Sequence, residues 1–264
     1  MPIVPSINTS RLSQKDFGAL AYEVMDHVFA IHNDFGRFFD EKIYKKELAA
    51  RMKGVQLEVF VDVVHGTFSK RYFADVIVRD GGLFEFKAAD AIHPKHRGQT
   101  IHYLLLFDLA HGKIINVRTD EVKHEFVNCH GRLADLRNPI ITDKNWDRTT
   151  PGAESFRDTL TALIHALGTG LDLALYEEAL EHFFNAIQPL VSCVPVFGEG
   201  GHLADQRMRL VTPESAFKLT ALSDPPDNLH AHAHARKLLR HTPLKAIHWA
   251  NLTHDQITLT TIHS

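Results

Sequence analysis

The sequence predicts an α/β fold in which a mixed sheet is flanked by helices, and three observations predict it. Apolar residues recur at helical spacing from Leu20 to Ile31, the period changes to two from Val55 onward, and Pro94 then opens another helical stretch ahead of a short apolar strand. At 264 residues the chain holds one large domain or two of about 130 residues each.

The elements follow in order. Ser13 is placed to cap a helix, with Asp16 three residues on, and Leu20, Val24, Val28 and Ile31 form its apolar stripe until Gly36 ends it. A second helix runs roughly from Phe39 to Met52, with Ile43, Leu48 and Met52 set along the charged run EKIYKKEL. VQLEVFVDVV and YFADVIV then read as antiparallel strands joined through HGTFSK, and LFEFKAA follows across RDGG. Pro94 starts a helix that runs to about Leu109, His111 and Gly112 break it, and KIINV is a short strand.

With 29 basic and 32 acidic residues the formal charge is −3, so a polyanionic partner would need a local patch. Cys129 and Cys193 lack CxxC spacing and fit a reducing compartment with ordinary packing roles. MPIVPSINTSRLSQ has no charged segment followed by an apolar one, and no run approaches about eighteen apolar residues. The expectation is a cytoplasmic protein without membrane association.

Between Asn138 and Glu154, NPIITDKNWDRTTPGAE carries two prolines and little periodicity, which marks a boundary between domains at 1–140 and 151–264. The second part repeats the first. GTGLDLALYEEAL aligns with GRFFDEKIYKKEL, so that Gly168, Tyr176 and Leu180 each stand 132 residues after Gly36, Tyr44 and Leu48. HLADQRMRL, SAFKLTAL and LKAIHWANL likewise repeat YFADVIVRD, LFEFKAAD and GKIINVRTD at offsets of 130 to 132. The fold is therefore expected twice in tandem.

In GGLFEFKAAD, Gly81 to Asp90, Glu85 and Lys87 share one strand face while Phe84 and Phe86 point to the other. A three-residue loop over Asp80, Gly81 and Gly82 pairs Arg79 with Leu83 and sets Asp75 opposite Lys87, on the face of Glu85; a glycine supplies the left-handed residue. Two carboxylates and an ammonium on one patch suit a hard divalent ion, with positions left for water and a phosphate oxygen. The blander reading is a salt bridge on an exposed sheet face. Gln99 and Tyr103 lie one helical turn apart, close to the strand of Lys87 if that helix packs back on the sheet.

Asp75, then Glu85-Phe86-Lys87, then Gln99-x-x-x-Tyr103, behind a helix bearing Glu41, resembles the PD-(D/E)xK nuclease superfamily in its QxxxY branch. More specifically, the stretch from about Ala21 to Val127 is similar to the GxxExxY family of uncharacterised bacterial proteins, with AYEVMDHVFAIHNDFG, EKIYKKEL, YFADVIV, FEFKAAD and QTIHYL in order. The resemblance implies a restriction-endonuclease-like fold and a metal-dependent nuclease. Asp75, Glu85 and the backbone carbonyl of Phe86 would hold Mg²⁺ or Mn²⁺, with a further carboxylate from Glu41; Lys87 would serve the attacking water, and Gln99 and Tyr103 would support the site or touch substrate. The implied partner is nucleic acid, DNA ahead of RNA, for a monomer with pseudo-dimeric halves or a homodimer. Phe38 stands where the family has its glycine, while Glu41 and Tyr44 keep their spacing.

In the second half Gly170 and Tyr176 persist, but Leu173 stands where the glutamate belongs and Ala216 replaces the acid before Phe217 and Lys218. Asp205 alone beside a lysine holds a hard ion poorly, so this copy is expected to be non-catalytic. The competing expectation for the whole chain is a non-catalytic nucleic-acid-binding or regulatory module. His230, His232 and His234 fall on a helix by the repeat and would diverge there, FGEGGHL reads as a hairpin turn, and KHRGQ offers a local phosphate patch. No GxSxG, HExxH or Cys-His arrangement points to another hydrolase class.

Overall fold

The computed structural model describes residues 2–187, 192–223 and 225–264, and the chain divides into two compact units, Met1–Leu133 and Ala134–Ser264. The first unit runs β1 (Ile3–Pro5), α1 (Gln14–Phe35), α2 (Glu41–Arg51), β2 (Val55–His65), β3 (Phe68–Val78), β4 (Gly82–Lys87), α3 (Pro94–Leu106), β5 (His111–Asn116) and β6 (Lys123–Asn128). Its six strands lie side by side in chain order. All neighbours are antiparallel except β4 and β5, which are parallel because α3 carries the chain back across the sheet. The mixed α/β architecture matches the sequence expectation.

Local chemistry accounts for the helices. Ser13 caps α1 by accepting the amide of Asp16 (3.1 Å), and Gly36 ends it at φ 71°, a conformation costly for a residue with a Cβ. Phe17, Val24, Val28 and Ile31 of α1, with Tyr44 and Leu48 of α2, bury themselves against Val76, Val78, Phe84 and Phe86 of the sheet. Each such side chain contributes roughly 1.5–3 kcal/mol on burial. α3 stops at Leu106; the chain turns at Asp108 (φ 49°), and His111 and Gly112 lie inside β5 instead of breaking the helix. A Cβ on Gly112 would sit 3.2 Å from Thr100 and 3.4 Å from Leu104, so the glycine lets α3 lie close on β5.

The turn between β3 and β4 has the expected three residues but starts one position earlier. Val78 pairs with Gly82, leaving Arg79, Asp80 and Gly81 in the loop. Arg79 (φ 49°) and Asp80 (φ 58°) take the left-handed conformation, not a glycine. The glycines serve closeness: a Cβ would meet Leu12 at 2.7 Å on Gly81 and Leu20 at 2.6 Å on Gly82. The register therefore shifts by two, and Asp75 stands opposite Glu85, not Lys87.

The second unit runs β7 (Ile140–Asn145), α4 (Ala153–Leu167), α5 (Leu173–Ile187), β8 (Cys193–Gly198), β9 (Gly201–Arg207), β10 (Leu210–Thr212), β11 (Ser215–Thr220), α6 (Pro225–Arg240), β12 (Ala246–Leu252) and β13 (Gln256–His263). Five strands form a sheet in the order β10-β11-β12-β13-β7, while β8 and β9 make a separate ribbon. β11 and β12 are parallel, joined through α6, and β12 and β13 are antiparallel. The proline-bearing segment 138–154 supplies β7 to this sheet, and the units part ahead of it. Among the described residues no helix is long and apolar enough to cross a membrane.

Candidate active site

Three adjacent strands of the first unit carry a row of acids. The pairs Leu57–Val76 and Val59–Ala74 flank Glu58 and Asp75 as opposite residues, and the β3–β4 register continues the row to Glu85. Glu58 reaches it from a left-handed backbone (φ 50°), an interruption of the ladder that turns its side chain. At Glu85 the strands part, and side chains replace ladder bonds: the Asp75 amide donates to Glu85 Oε1 (3.2 Å) and the Phe86 amide donates to Asp75 Oδ2 (2.9 Å). One oxygen of each carboxylate is thus held by a backbone amide.

Two ammonium groups meet this row. Lys87 Nζ lies 3.2 Å from Glu85 Oε2 and 3.9 Å from Asp75 Oδ2. Lys45, buried on α2, lies 2.7 Å from Asp75 Oδ1 and also pairs with Glu58. Glu85 is 1% exposed. Burial, with the neighbouring charge of Asp75, pushes its carboxyl from an ordinary 4.5 up to about 8, against the pull of Lys87. Burial alone would lower the Lys45 ammonium, but its hydrogen bonds to Asp75 and Glu58 raise it on balance.

The remaining candidates surround the row. Glu41, the first residue of α2, accepts the Ala88 amide at 2.6 Å, immediately after Lys87. Phe86 is fully buried between Glu85 and Lys87. Tyr103 is buried on α3; burial raises its hydroxyl pKa, a hydrogen bond with Gln99 opposes this, and Glu85, Asp75 and Glu58 are near enough to raise it further. His96 is lowered by its burial and then by the Lys87 charge. Asp75, Glu85, Lys87 and Tyr103 therefore come together as expected, with Gln99 attached through Tyr103 and Glu41 through the backbone beside Lys87.

The sequence pattern does not mark Lys45 and Glu58 as members of the site. Glu58 carries a signal, an acid inside the apolar period-two run VQLEVFV, but its partner depends on strand register. Lys45 sits in EKIYKKEL, which reads as a solvated helix face, one turn from Glu41. Phe38, in place of the family's glycine, is 78% exposed with the Arg37 guanidinium 5.1 Å from its ring centroid. Arg97 of KHRGQ is engaged in a forked ion pair with Glu125.

In the second unit, β11 carries Ala216 and Lys218, and the strand beside it is β10, Leu210–Thr212, which has no acid. Asp205 does not stand beside Lys218 on the sheet. It lies on β9, which pairs with β8, and its carboxylate binds His202 at 2.9 Å. FGEGGHL forms the hairpin of β8 and β9, closing with Gly198 opposite Gly201. His230, His232 and His234 lie on α6, where residues two apart diverge.

Among the described residues no three His, Cys, Asp or Glu side chains are gathered as a ready-made metal cage. The donors at the row are carboxylate oxygens with no thiolate, a set that fits a hard divalent ion better than zinc. Residues 18–129 match the family model described as the PD-(D/E)XK nuclease superfamily. Over those residues the first unit is similar to that superfamily, whose members usually use divalent metal ions and act on nucleic acid. A solved structure titled "Crystal structure of SSO0001" is 22% identical over 42% of this chain and 62% of its own, with a TM-score of 0.28, so the chain spans less than two thirds of that protein. No curated protein matches.

Proposed function

We propose that the first unit hydrolyses phosphodiester bonds of nucleic acid with a Mg²⁺ or Mn²⁺ ion held by Asp75, Glu85 and the carbonyl of Phe86. The observation that carries this reading is the pair of backbone-held carboxylates, Asp75 and Glu85, facing each other where β3 and β4 part, with Lys87 at 3.2 Å from Glu85. When bound, the ion supplies positive charge to the scissile phosphate and acidifies its water. Lys87 would orient the attacking water and steady negative charge building on the phosphate. Glu41 contributes the oxygen not committed to Ala88, and Gln99 and Tyr103 support the acid row. Lys45 keeps Asp75 aimed into the row. DNA is the first substrate to try, RNA the second.

The test is a panel of labelled DNA and RNA substrates with Mg²⁺ and Mn²⁺. Wild-type protein is expected to cleave, chelation to stop it, and Lys87→Ala and Glu85→Gln each to lower the rate by about 100-fold or more with the fold intact. Cleavage unchanged in both variants would overturn the assignment.

One observation favours a second reading, a non-catalytic nucleic-acid-binding module. Every oxygen of Asp75 and Glu85 already has a partner within the protein, from Lys45, Lys87 or a backbone amide. On that reading the panel gives retention of nucleic acid without cleavage.

A further inference from the structure

The second unit carries a half-open pocket of about 340 Å³ lined by α5, β9, β11, α6 and β12. Its walls are apolar, with Ala216, Ile247 and Leu238 around Trp249. Trp249 is held in place: its indole nitrogen donates to Thr220 Oγ1 (2.8 Å), which donates to Asn251 Oδ1 (2.7 Å). A locked aromatic in a pocket of this size suits a planar ligand group.

The polar lining is cationic. Arg209 pairs with Glu177 (3.3 Å) and Arg207 with Glu181 (3.0 Å), so these charges cancel two by two. Lys218 has no ion-pair partner among the described residues and is exposed at the pocket, and His234 lines it as well. The first unit has the reverse arrangement. There the residue following the tyrosine that binds back to its helix-ending glycine is Lys45, which reaches the acid Asp75; here it is Glu177, which reaches the base Arg209. A site whose strands carry acids takes a cation, and one whose strands carry bases takes an anion.

We propose that this pocket binds one nucleotide, its base against Trp249 and its phosphate at Lys218 and His234. The site lies outside the acid row and stands whether or not the first unit is a nuclease. The nucleotide is either free or part of a strand, and the two probes distinguish them.

Binding is read from Trp249 fluorescence in the full chain carrying Trp146→Phe, a mild change because the Trp146 indole nitrogen has no hydrogen-bond partner. Calorimetry on the unsubstituted chain gives a second measurement. Saturable quenching by adenosine 5′-monophosphate is expected for a free nucleotide, and quenching by a short oligodeoxyadenylate alone for a nucleotide within a strand; either supports the site. Lys218→Glu is expected to weaken binding about tenfold or more, whereas Lys87→Ala leaves it unchanged, which keeps this result separate from the nuclease assay. No saturable signal from either probe by either method, an unaltered affinity in Lys218→Glu, or competition by inorganic phosphate as strong as that of the nucleotide would overturn it.

Discussion

In the first unit the Tyr44 hydroxyl donates to the carbonyl of Gly36, eight residues back; in the second, Tyr176 donates to Gly168 at 2.5 Å over the same separation. Both glycines end a helix with positive φ, 71° and 87°. The parallel strand pairs match too. Asn116 on β5 brackets Ala89, accepting its amide (3.2 Å) and donating to its carbonyl (2.8 Å), and Asn251 on β12 brackets Leu222 in the same way at 2.8 Å for each bond. The units differ in what the neighbouring strand does. β3 is an eleven-residue sheet strand that brings Asp75 to Glu85, whereas the second unit's hairpin forms its own ribbon and leaves only the three residues of β10 on the sheet. The bonds that build the helix pair and crossover are therefore separable from the acid row.

The asparagine brackets also set a frame for comparing β4 with β11. Lys87 pairs with Asn116 and Thr220 with Asn251, so Thr220 occupies the place of Lys87 and Lys218 the place of Glu85. This differs by two residues from the sequence alignment, which set Ala216 against Glu85, but the alternation of faces is kept. A lysine at the acid's place is what a pocket for an anion requires.

Breaking this comparison starts at Glu85. Its carboxyl binds a proton in the fold up to about pH 8, whereas the unfolded chain releases it near the ordinary 4.5. The contribution of Glu85 to stability is therefore fullest below 4.5 and is lost as pH rises through 8, because the unfolded state binds fewer protons at this group across that window. In the presence of a chelator, Glu85→Gln is expected to melt several degrees above wild type at pH 8 and level with it at about pH 4. Calorimetric melting across that range checks it; an advantage that does not grow with pH would mean the row is not strained by its own charge. A smaller effect sharpens the shared scaffold. Tyr44→Phe and Tyr176→Phe should each cost about 1 kcal/mol in denaturant unfolding, the worth of one buried hydrogen bond. A cost in only one of them would mean that the matching bonds do not serve the same purpose.

Local signals in the sequence marked much of the first unit. The Ser13 cap, the Gly36 stop and the apolar stripe between them give α1, and period-two alternation puts Glu85 and Lys87 on one face. The partner of Glu85 was harder, because the turn's left-handed residues are Arg79 and Asp80 while the glycines make room for Leu12 and Leu20. Those are tertiary contacts with a segment more than sixty residues away in the chain. Lys45 and Glu58 were hidden for the same reason: a charged helix run looks solvated until the helix is packed, and an acid in a strand has no partner until register is fixed. β1 carries only three residues of signal, and β7 has one strongly exposed isoleucine, Ile140, and a polar end. The departure of β9 from the sheet removed Asp205 from Lys218, which no alternation pattern reveals.

The opposed charges of the two units can be tested most directly by titrating Mn²⁺ into the full chain and following its paramagnetic resonance signal. A saturable site is expected in wild type, lost in Asp75→Asn and unchanged in Lys218→Glu. Absence of a saturable site, or one that survives Asp75→Asn, would contradict a cation site at the acid row of the first unit.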